Sequence, residues 1–115
     1  MSILELAPRF TLEEASHFAG DLYSLRATAQ PFPSERDQNF LVQTENGERY
    51  VLKIANAIEK RIILEAQNQV LAHIKHSISF CPQVIPTNRG DQITNITSSV
   101  GIEHFIRLVT YLDGV

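Results

Sequence analysis

The chain has 115 residues, 43% hydrophobic and 20% charged, with a formal net charge of −3. That balance fits one globular domain, residues 1–115, and excludes a disordered chain, while the scattered lysines and arginines form no basic stripe of the kind nucleic-acid binding needs. No apolar run approaches the roughly 20 residues of a membrane span, the N-terminus lacks a signal-peptide pattern, and the single Cys81 fits a reducing cytoplasm better than a disulfide framework.

Thr11 and Glu14 read as a capping box, each side chain satisfying an amide at the start of a helix. A short helix is expected to about Ala19, stopped by Gly20. Residues 22–30 suit a half-buried strand. Pro31 and Pro33 then oppose regular ladder bonding, so residues 32–37 are expected as a loop. A second strand at 39–44 and a third at 49–55 flank Glu45-Asn46-Gly47-Glu48, where Asn-Gly signals a hairpin.

Ile58, Ile62, Ala66, Val70 and Ile74 recur every four residues, with Ile63 and Leu71 broadening the stripe. This predicts a long helix over 58–76 with that stripe as its buried face. Pro82 and Pro86 mark its exit. Residues 84–88 and 92–97 read as a hairpin around Arg89-Gly90-Asp91, and 103–112 as a last strand. The order predicts an α+β fold: a mostly antiparallel sheet of about five strands, one long helix packed on it, and a short N-terminal helix. Regular strand–helix alternation, which a doubly wound parallel sheet requires, is absent.

His73 and His76 are three apart on the long helix with Cys81 nearby, yet too few further ligands accompany them, and no metal site is expected. No nucleophile motif or Walker lysine is present. Lys53 is the first residue suited to chemistry. Strand alternation puts it on one face with Val51 and Ala55, where a lysine among small apolar neighbours could meet a phosphate beneath a purine ring. The competing reading is an ordinary solvated lysine.

Glu65 follows twelve residues later and falls about 20° from Ile58 around the helix, at the border of the apolar stripe. A carboxylate there could fix a phosphate-binding lysine, or could be a surface charge. The loop around Ser34, Arg36 and Asn39 offers hydrogen-bond donors and a guanidinium fork suited to phosphate. A polar turn closed by Arg36 and a neighbouring acid is the alternative.

Three segments together, Ser34-Glu35-Arg36-Asp37-Gln38-Asn39-Phe40, Tyr50-Val51-Leu52-Lys53-Ile54-Ala55-Asn56 and Leu64-Glu65-Ala66-Gln67-Asn68, resemble the aminoglycoside phosphotransferase/choline kinase superfamily. They are most similar to its hydroxylysine-kinase-like branch, which includes kinase-like domains fused to class-III aminotransferases. The ending from His104 to Gly114 is similar to the last strand and hinge of the family's N-terminal lobe. The resemblance implies a kinase-like N-lobe that binds ATP or GTP. In it Lys53 would pair with the α- and β-phosphates and Glu65 would hold Lys53. Ser34, Arg36 and Asn39 would cover the phosphates, Val51 would touch the purine, and Thr110, Tyr111 and Leu112 would contact its edge through the backbone. The phosphate loop departs from the family in lacking glycine.

The family's catalytic aspartate and its magnesium-binding residues belong to a C-terminal lobe that these residues do not match. The resemblance therefore implies no catalytic residue here, Mg2+ only in a full-length protein, and no turnover by this chain alone. Its expected partners are a nucleotide, the C-terminal lobe and a small amine or amino-acid acceptor. The rival readings are a non-catalytic regulatory or tethering module of a larger enzyme and an unrelated α+β interaction domain.

Overall fold

The computed structural model describes residues 7–34, 37–74 and 82–111. Helix α1 spans Leu12–Tyr23. Strands β1 (Ala27–Phe32), β2 (Gln38–Thr44) and β3 (Arg49–Ile54) follow, then helix α2 (Arg61–Ile74) and strands β4 (Val84–Ile85), β5 (Thr94–Thr97) and β6 (Glu103–Thr110). All strand pairs are antiparallel. The sheet runs β1-β2-β3-β6, with β4 and β5 both on the far side of β6. The fold is α+β, as the element order predicts.

The capping box forms: the Glu14 amide donates to Thr11 Oγ1 and the Thr11 amide to Glu14 Oε1, each at 3.0 Å. The helix does not stop at Gly20. It continues through Leu22 to Tyr23, so the expected first strand starts five residues later than residue 22. Ser24, left-handed at φ 56°, ends α1 by donating its amide to the carbonyls of Ala19 and Gly20. Pro31 lies inside β1 rather than ending it. An edge strand tolerates this, because a residue without an N–H can face away from its one neighbour.

The β2–β3 hairpin closes through Thr44 N to Glu48 O at 2.9 Å and Gly47 N to Thr44 O at 3.0 Å. Only Gly47 takes positive φ, at 85°. The turn is therefore a three-residue loop with glycine in the left-handed position, and not the two-residue type that would also put Asn46 there. Residues 84–97 differ more from expectation. β4 and β5 do not pair with each other; Val84 lies opposite Val109 and Thr94 opposite Ile106, so both run along the same edge of β6. They are one broken strand with a loop between its halves. That loop is pinned by Thr87, whose hydroxyl accepts from the amides of Arg89 (3.3 Å) and Asp91 (3.1 Å).

The main core lies between α1 and the sheet. Ala15 and Tyr23 pack with Phe10 over Phe40, Val42, Leu52, Ile54, Ile106 and Leu108. Gln38 fastens the incoming chain by accepting from the Phe10 amide and donating to its carbonyl, at 2.7 and 2.8 Å. By alternation the other face presents Leu41, Val51, Lys53, Arg107 and Val109. Helix α2 meets the sheet on that second face, through a small cluster of Ala55, Leu64, Ile93 and Phe105.

The buried side of α2 is not the apolar stripe. Leu64 and Asn68 are its buried residues, whereas Ile62 is 69% and Val70 55% exposed. Ile58 precedes the helix, where the Asn56 side chain accepts from its amide. His76 and Cys81 lie outside the described residues, as does the end of the predicted helix. Among the described residues no helix is long and apolar enough to cross a membrane.

Candidate functional site

Register builds the site. Asn39 on β2 lies opposite Lys53 on β3, and Lys53 lies opposite Arg107 on β6. The three side chains form a polar row across one sheet face. One step along the same face, Leu41, Val51 and Val109 form a parallel apolar row. Two residues along a strand separate the rows by about 7 Å. Val51 and Val109 are buried and Lys53 half-buried.

Lys53 makes no hydrogen bond or ion pair with any described residue. Burial pushes its ammonium below the ordinary value, the neighbouring Arg107 charge pushes it further, and Asp37 partly opposes both. Arg107, buried at 6% exposure, is also lowered by burial, with Asp37 and Glu59 opposing. Asp37 itself accepts the Asn56 amide at 3.0 Å, tying the β1–β2 loop to the exit of β3. The Asn39 side-chain oxygen is buried without a partner.

The helix contact differs from expectation. Glu65 does not hold Lys53: its Oε1 accepts from Arg61 Nε at 2.8 Å, a pair one turn apart on α2 with both side chains half exposed. The polar residues that join α2 to the sheet are Asn68 and Gln67. Their side-chain oxygens accept from Arg107 Nη1 and Nη2 at 2.8 and 2.9 Å. Sequence reasoning about charge missed Arg107, Gln67 and Asn68 as site residues, although all three stand in the segments that carried the family resemblance.

Ser34 is exposed beside an open groove of about 600 Å³ lined also by Phe10, Phe32, Asp37 and Asn39. Lys53 is not in its walls, so the groove meets the polar row only at Asn39. Arg36 and Leu112 lie outside the described residues. At the far end, the Thr110 amide donates to Gln83 O at 2.9 Å and the Tyr111 amide to Arg49 O at 3.3 Å. The Tyr111 ring sits edge-on to Phe32 and beneath the Arg49 guanidinium, with ring and cation 4.9 Å apart. No group of three or more His, Cys, Asp or Glu that could hold a metal ion occurs among the described residues.

An antiparallel sheet with a strand lysine on the face that carries the long helix α2 is the architecture of a kinase-like N-lobe. Solved structures of small-molecule kinases share it. A microcompartment-associated aminopropanol kinase superposes with a TM-score of 0.75 over 91% of this chain and 33% of its own, at 13% identity. Amicoumacin kinase, solved with AMP-PNP, Ca2+ and Ami, gives a TM-score of 0.71 over 91% of this chain and 32% of its own, at 18% identity. By sequence the chain is similar to the hydroxylysine kinases of Mus musculus, 30% identical over 93% of the chain, and Danio rerio, 28% identical over 99%. It spans about a third of their length (32% and 34%). No family model matches it. By fold the chain is a kinase-like N-lobe, and by sequence it is similar to the corresponding third of the hydroxylysine kinases.

Proposed function

We propose that this chain is the nucleotide-binding lobe of a small-molecule phosphotransferase, one that transfers the γ-phosphoryl of ATP or GTP to the hydroxyl of an amine or amino acid. The observation that carries the proposal is the pair of rows on one sheet face. A purine laid on Leu41, Val51 and Val109 would set its phosphates over Asn39, Lys53 and Arg107. Lys53 would meet the α- and β-phosphates, and Ser34 and the loop beside it would cover them. The carbonyls of Thr110 and Tyr111 lie where β6 ends, next to the apolar row. The acceptor class follows the hydroxylysine kinases and the aminopropanol kinase to which the chain is similar.

The described residues fit a nucleotide but not its metal ion. They offer no carboxylate cluster, and Asp37 spends one oxygen on a backbone amide. The metal ligands and the group that accepts the hydroxyl proton would come from a catalytic lobe outside these 115 residues. When bound, the metal would neutralise charge on the β- and γ-phosphates; this chain supplies the cationic floor beneath them.

A thermal-shift titration tests the reading. A ligand that binds only the folded lobe at ten times its Kd stabilises it by about 1.4 kcal/mol. ATP should therefore raise the Tm of the wild-type chain by several degrees and leave Lys53→Ala unmoved. A lobe that only tethers a partner would show no rise in either.

A further inference from the structure

We infer that Arg107 is a second phosphate-binding cation of this lobe, set beside Lys53 by strand register and aimed by the neutral amides of Gln67 and Asn68. The inference rests on the nucleotide-binding reading and names a residue and a mode of holding it that the reading does not require.

A buried arginine normally has a carboxylate against it, because an uncompensated charge away from water is costly. Arg107 is 6% exposed, yet both of its bonded partners are amide oxygens, at 2.8 and 2.9 Å. Amides fix the direction of a guanidinium without cancelling its charge. The two carboxylates whose charge reaches it, Asp37 and Glu59, make no hydrogen bond to it. Asn68 itself is 3% exposed and its side-chain NH2 is left without a partner. Its orientation therefore serves the arginine rather than its own satisfaction.

Across the sheet Arg107 faces Lys53. Like charges directly opposite on paired strands destabilise a sheet, and no described carboxylate bonds either of them. The arrangement is one that a polyanion relieves. Guanidinium carries five donors, and the two bonds to α2 leave others for a phosphate oxygen. The same bonds hold α2 on the sheet, so phosphate binding and helix placement share one side chain.

The test is a titration of the wild-type chain with sodium tripolyphosphate, and separately with ATP, at constant ionic strength. It follows the Lys53 backbone amide and the Arg107 Nε–Hε resonance by NMR. Both should move and saturate together. Arg107→Gln should weaken both ligands by about tenfold or more. Asn68→Asp keeps the arginine but sets a carboxylate against it; it should weaken binding severalfold without lowering the Tm. If Arg107→Gln fails to fold, the wild-type side-chain resonance and Asn68→Asp still decide the matter.

A Lys53 response with a silent Arg107 and unchanged affinity in Asn68→Asp would overturn the inference, leaving Arg107 a helix tether and the nucleotide reading intact. No response at either residue in the wild type would overturn both.

Discussion

Arg107 on β6 donates to the side-chain oxygen of Asn68 on α2 at 2.8 Å, and both residues are buried. With the Gln67 bond, this is the polar joint between the long helix and the second face of the sheet. A hydrogen bond to a charged group is worth about 1.5–3 kcal/mol. Asn68→Ala should therefore cost about 2 kcal/mol, or roughly 8 °C in Tm for a domain of this size. Differential scanning calorimetry of the two chains checks this, and an unchanged Tm would mean the joint carries no stability.

Glu65→Gln should be nearly silent. It breaks only the Arg61 pair, whose side chains are about half exposed (52% and 50%). Such pairs contribute about 0.5 kcal/mol or less. A urea melt should show little change, and ATP affinity should match the wild type. A large loss of affinity would mean that Glu65 reaches Lys53 in the bound state.

Lys53 shows the tension between stability and binding. Its pKa is lowered in the folded chain, first by burial and then by Arg107. Below the lowered folded pKa both folded and unfolded states carry the charge, so the folded state bears the cost. Lys53→Met should raise stability below that lowered pKa while removing phosphate binding. As pH rises through the lowered folded pKa, the native state releases its proton before the unfolded state does. Wild-type stability then gains on Lys53→Met until the unfolded lysine titrates near its ordinary value. Melts of both chains from pH 7 to the alkaline side should show the gap closing; a gap that widens would contradict the cause assigned to the shift.

Thr11→Ala removes the hydroxyl that caps α1 and should cost about 1 kcal/mol. Because α1 covers the main core, the loss should appear as a lower midpoint of the whole transition. If only local fraying at Leu12 and Glu13 were seen by hydrogen exchange, α1 would not be coupled to the sheet.

What could be read from the residues was local chemistry. The Thr11–Glu14 box, the turn at Gly47 and the face of Lys53 each depend on a few neighbouring residues, and all three are present in the structure. The buried face of α2 was not legible, because apolar periodicity reports where a helix could bury surface, while this helix meets the sheet through Leu64 and an amide joint. The partner of Glu65 had a visible competitor, Arg61 four residues earlier, but spacing alone cannot rank a neighbour on the helix above one on the sheet. The broken strand formed by β4 and β5 was hidden for a different reason. Arg89-Gly90-Asp91 makes a tight turn in either arrangement, and only pairing with β6 distinguishes them.

The most direct test of the account is to map ATP onto the chain by 15N NMR. Without an opposing lobe or metal, ATP binding should be near millimolar, about 4 kcal/mol, because a few charge-assisted bonds must offset the entropy of association. Amide shifts should concentrate at Ser34, Asn39 and Phe40, from Val51 to Ile54, and at Arg107 and Tyr111, and should collapse in Lys53→Ala. Shifts centred elsewhere, or the same cluster surviving Lys53→Ala, would contradict the proposed site.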